Sequence, residues 1–101
     1  METFENRERG FENAFAHDEE VSFRVRIGAL RKLGRWAAET LQREAPDAAA
    51  EALVARALEG ADDERLLAGL ADDLKGAGIS GHRLRARLAA CMQEASRDLH
   101  A

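Results

Sequence analysis

Three histidines, one cysteine and several groups of carboxylates are the residues of this chain with chemistry to offer. Metal binding needs such ligands brought together, most simply three or four residues apart on one helix face. His17, His82 and His100 have no second histidine or cysteine at that spacing, and Cys91 stands nine residues from His82. The carboxylates at 18–20, 62–64 and 72–73 fall where a helix start or a solvated face accounts for them. Gly76, Gly78 and Gly81 lack the following Lys and Ser or Thr of a phosphate loop, although backbone N–H groups near His82 and Arg83 offer a weak anion site. These residues predict neither a catalytic set nor a metal centre, and a thin bundle of about 100 residues seldom holds a cleft. The chain is read as a non-enzyme.

The apolar spacing says more. Phe4, Phe11 and Phe15 are separated by seven and four residues, which returns each ring to within about 20° of the first on a helix. With Phe23 they are four of the five aromatics, and they sit in an acidic stretch ahead of the main hydrophobic pattern; Trp36 is the fifth. Either this stretch folds back and buries its rings, or it keeps them for a partner.

The elements that must carry these residues are helices. The chain has 101 residues, 46% of them apolar, with one proline and few β-branched residues, and no stretch alternates long enough for a strand. Thr3 can cap a first short helix that Gly10 interrupts, so residues 1–16 are expected to be weakly ordered. Asp18 is the expected cap of a long helix over about 19–43, with Phe23, Ile27, Leu30, Leu33, Ala37 and Leu41 on its core face and Trp36 on the flank. Pro46 and Asp47 open a second helix, with Leu53, Ala57 and Leu58 in its apolar pattern, ending at Gly60. Asp62 caps a third, ended by Gly76 and Gly78. Ser80 caps a fourth, with Ile79 stapled onto Leu84 and a stripe through Leu88, Cys91, Met92, Ala95 and Leu99. The prediction is an all-α fold: an antiparallel four-helix bundle over 19–101, preceded by a short, weakly ordered N-terminal helix over 1–18.

Charge is divided along the chain although the net value is only −4. An acidic N-terminal segment precedes a basic helix bearing Arg24, Arg26, Arg31, Lys32, Arg35 and Arg43, and acidic residues at 62–64 and 72–73 precede Arg83, Arg85 and Arg87. Helices of opposite sign packed side by side attract weakly. Only Arg31 and Lys32 of the basic set adjoin, and no aromatic is interleaved for base stacking, so nucleic acid is not the expected partner. The N-terminus lacks a secretory h-region and no run of about 18 apolar residues occurs, so neither export nor membrane insertion is expected. A lone cysteine suits a reducing compartment.

One string adds a resemblance. Arg7-Glu8-Arg9-Gly10-Phe11-Glu12-Asn13-Ala14-Phe15-Ala16-His17-Asp18-Glu19-Glu20, followed by Leu33-Gly34-Arg35-Trp36-Ala37-Ala38, resembles the ζ inhibitor subunit of the alphaproteobacterial F-type ATP synthase, a family formerly catalogued as a domain of unknown function. The likeness is weaker at Ile79-Ser80-Gly81-His82-Arg83-Leu84-Arg85. It implies a four-helix fold whose N-terminal segment inserts between catalytic and non-catalytic subunits of the synthase head and blocks ATP hydrolysis. By that resemblance Phe4, Phe11 and Phe15 carry the contact, with Arg7, Glu8, Arg9, Glu12 and His17 contributing less. It also implies no tightly held cofactor, with weak ATP or ADP binding in some relatives, and a cytoplasmic location beside the inner membrane when bound. The free protein is expected as a monomer. The alternative is a small helical nucleotide sensor that binds ATP or ADP through its basic helix and the start of the last helix.

Overall fold

In the computed structural model the backbone is described for residues 4–100 and side chains from Asp18 to His100. Every regular element among the described residues is a helix: α1 (Phe4–Thr40), α2 (Pro46–Leu58), α3 (Asp63–Gly76) and α4 (Gly81–His100). Three of the expected starts stand. Pro46 opens α2, where its missing N–H costs nothing. The Asp62 carboxylate accepts from the Arg65 N–H at 2.9 Å to cap α3, and the Ser80 hydroxyl accepts from the Arg83 N–H at 3.2 Å to cap α4.

The first helix departs from expectation. It runs unbroken for 37 residues through both Gly10 and Asp18, so the expected short helix and the expected cap are interior positions of one rod. A mid-helix Gly costs about 1 kcal/mol but leaves the hydrogen-bond ladder intact. Glu20 in turn salt-bridges Arg24 at 2.6 Å, one turn on, which supports an acidic stretch inside a helix. The far end falls at Thr40 and not near 43, because the Arg43 N–H bonds back to the Ala38 carbonyl and the Gln42 N–H to that of Glu39. That is the paired closure of a Schellman motif, and it places Gln42 at φ 56°. The same closure ends α2 at Gly60 (φ 105°) and α3 at Gly78 (φ 84°).

The core is formed by all four helices: Leu30, Leu33 and Ala37 from α1, Leu53, Val54 and Ala57 from α2, Leu66, Leu67 and Leu74 from α3, and Leu84, Cys91 and Ala95 from α4. Gly34 is a packing residue, since a Cβ built on it would lie 2.8 Å from the Ala50 Cα. Pairs step down α2 as α1 steps up (Arg31 with Glu51, Gly34 with Ala50, Arg35 with Asp47) and down α4 likewise (Gly28 against Ala95, Trp36 with Arg87), so both helices run against α1. Four positions expected in the core stripes are not in it. Phe23 is 50% exposed, Leu58 62%, Met92 37% and Leu99 38%. Phe23, Leu58 and Leu99 lie at one end of the bundle, where a helical stripe continues but the packing runs out, whereas Met92 is in mid-helix beside the buried Cys91.

Candidate functional site

The candidate residues Phe4, Arg7, Glu8, Arg9, Phe11, Glu12, Phe15 and His17 all belong to α1. Their side chains lie outside the described residues. The structure does define how the bundle presents the stretch that bears them. Gly28 packs against Ala95, so moving five residues back along α1 and five forward along α4 brings His100, the last residue of α4, level with Phe23. From Asp18 to Arg24 every described side chain is exposed except the half-buried Val21, and burial begins in earnest at Ala29. The residues of α1 before Phe23 therefore run past the end of α4. The longest dimension of the molecule, 64 Å against 27 and 23 Å across, agrees with a rod that outruns its bundle.

The basic helix is matched within the fold. Arg26 reaches Asp63 at 3.0 Å and also donates to the Ala61 carbonyl at 3.2 Å, Arg31 meets Glu51 at 2.6 Å, Lys32 meets Asp98 at 2.9 Å, Arg35 meets Asp47 at 2.9 Å and Arg43 meets Asp73 at 2.6 Å. With Arg24 and Glu20, all six cations have carboxylate partners, five of them on other helices. The hydrogen bond to Asp98, followed by that carboxylate's charge, holds the Lys32 ammonium above its ordinary value. These are partly exposed pairs, each weak in water, but together they favour this arrangement of helices.

The groups named for other chemistry are dispersed. Cys91 is buried, and desolvation pushes its thiol up, away from a reactive thiolate. His82 and His100 are exposed at opposite ends of α4. The turn at Gly78, Ile79, Ser80 and Gly81 lines an open hollow that also bears Asp72, and a second groove between α1, α2 and α3 holds the Arg43–Asp73 pair. The first hollow sets Asp72 beside Lys75 and the second sets Asp73 among Arg43 and Arg56, so neither is lined by one sign of charge. One juxtaposition was not foreseen from spacing. A groove bounded by Trp36, Arg83, Ala86, Arg87 and Ala90 sets two guanidinium groups beside the single indole, with Arg87 5.4 Å from the ring centroid. Trp36 and Arg87 are 51 residues apart, and only knowledge of the α1–α4 register brings them together.

Among the described residues no helix is long and apolar enough to cross a membrane. A family model described as ATPase inhibitor subunit zeta matches residues 1–98. No curated relative and no solved structure matches the chain.

Proposed function

Because the chain belongs to the ATPase inhibitor subunit zeta family, we propose that this regulatory protein inhibits through residues 1–18, which enter the head of the F-type ATP synthase between a catalytic and a non-catalytic subunit. The observation that carries the reading is that α1 continues for about five helical turns beyond the level of the last residue of α4. Among the described residues no other helix extends beyond the level of Phe23, and a stretch bearing Phe4, Phe11 and Phe15 at spacings that return to one face suits a groove elsewhere. Burial of three Phe side chains supplies roughly 5–9 kcal/mol before the ordering cost is subtracted. By spacing, Arg7, Glu8 and Glu12 flank the ring face and set the polar edge of the contact, while Arg9 and His17 fall toward the opposite side of the helix and contribute less. Inhibition follows from obstruction: the synthase head must change the packing at this subunit interface in each turnover, and an inserted helix holds it in one arrangement. Nothing in this mechanism asks the chain for catalysis or for a tightly held cofactor.

The test compares the intact chain with one beginning at Glu20 in an ATP hydrolysis assay on the purified synthase head. The reading requires that the intact chain slow hydrolysis and that the shortened chain not do so. Equal effects from both would remove it.

The nucleotide-sensor alternative draws on the groove beside Trp36, where Arg83 and Arg87 offer two cations to a phosphate. Trp36 is the only indole, so its fluorescence reports on that groove directly. Saturable quenching at micromolar ATP favours the sensor; a response confined to millimolar ATP favours the inhibitor.

A further inference from the structure

Three of the four exposed large apolar side chains among the described residues stand at one end of the bundle. Gly34 sets the register with Ala50, so Leu58, eight residues further along α2, falls level with Arg26, eight back along α1. Ala95 opposite Gly28 likewise puts Leu99 level with Arg24. Phe23, Leu58 and Leu99 thus lie within one turn of one another along the α1 axis, on three different helices, at the level where α1 leaves the bundle. Arg26, tied to Asp63 and to the Ala61 carbonyl, pins the α2–α3 turn at this same level. The fourth residue, Met92, is level with Arg31 and outside this group.

We infer that Phe23, Leu58 and Leu99 form an apolar collar that seats on the surface of the synthase head immediately around the groove that receives the N-terminal half of α1. This rests on the inhibitory reading of residues 1–18. The occupant follows from the geometry of one continuous helix: whatever takes up residues 4–18 must face the end of the bundle from which they emerge, and that end carries the collar. A second copy of the chain fits there poorly, because about 28 Å of α1 stands out from that end, at 1.5 Å per residue from Phe23 back to Phe4, and blocks an approach by another bundle end. The collar gives the bundle a purpose beyond bulk. It sets how deeply α1 enters and slows its departure, adding apolar contact that needs no ordering, since its three side chains already sit on formed helices.

The experiment measures equilibrium binding of the full chain to the purified synthase head, together with residual ATP hydrolysis at saturation, for the unaltered chain, for the triple variant Phe23→Ser, Leu58→Ser, Leu99→Ser, and for Leu58→Ser alone. The triple variant is expected to keep its helical content, to bind roughly tenfold or more weakly, and to reach the same maximal inhibition once saturating. Leu58→Ser, at the most exposed of the three positions, carries the test if the triple variant melts early, with an expected loss of about threefold. Unchanged affinity in a folded variant overturns the collar and leaves the inhibitory segment standing. Failure of the unaltered chain to inhibit removes both. Self-association in sedimentation that the triple variant abolishes would assign the three side chains to a second copy and overturn the proposal.

Discussion

Gln42 occupies a conformation that its neighbours in the fold reserve for glycine. Three helix ends close in the same way, and at Gly60 and Gly78 the left-handed residue has no Cβ to offend the following carbonyl. Gln42→Gly is therefore expected to raise stability by about 0.5–1 kcal/mol, seen as a rise of several degrees in melting temperature, with the relief of strain exceeding the entropy cost of an added glycine. Two other residues contribute to the response to alkaline pH. Burial raises the Cys91 thiol and the Asp98 hydrogen bond raises Lys32, so the folded chain holds both protons to higher pH than the unfolded chain does. Their contribution is complete below the ordinary values and is lost as pH climbs through the raised ones. Melting temperature is expected to decline from about pH 9 upward, and Cys91→Ala with Asp98→Asn should flatten that decline. The same burial predicts that Cys91 reacts with a thiol reagent only on the timescale of unfolding.

At the scale of elements, two glycines inside α1 have opposite expected responses to the same substitution. Gly28→Ala adds a methyl in ordinary contact with Ala95, 3.4 Å away, and gains helix propensity, so a neutral result or a stabilisation of up to about 1 kcal/mol is expected. Gly34→Ala drives a methyl to 2.8 Å from the Ala50 backbone and should cost about 1–3 kcal/mol in thermal or denaturant melts. Helix caps and ends were largely legible in the sequence, because Pro46, Asp62, Gly60, Gly78 and Ser80 act on residues within one turn of themselves. The role of Gly34 was not, since it depends on a helix 16 residues away. Nor was the unbroken course of α1: Gly10 and Asp18 resemble punctuation, but neither removes a backbone hydrogen bond, and each costs only a fraction of what a proline would. Phe23, Leu58 and Leu99 continue true helical stripes, and periodicity carries no information about where the neighbouring helix ends.

For the whole molecule, charge and shape divide the work. The carboxylates of α2, α3 and α4 match the cations of α1, and Asp73 of α3 matches Arg43 just after it, while the outlying half of α1 carries the Phe4, Phe11 and Phe15 spacing. The sequence sets the Phe4, Phe11 and Phe15 pattern ahead of the main hydrophobic pattern without deciding whether the bundle or a partner buries it, and the family match to residues 1–98 attaches an inhibitory role to the chain. What spacing alone leaves open is whose surface those rings meet. The most direct measurement is ATP hydrolysis by the purified synthase head in excess Phe4→Ser, Phe11→Ser, Phe15→Ser variant, alongside the unaltered chain. The account predicts that hydrolysis returns to the uninhibited rate while the variant melts at the temperature of the unaltered protein, because rings held for a partner contribute nothing to the fold. Undiminished inhibition by the variant, or a melting temperature lowered by more than about 10 °C as for lost core residues, would contradict it.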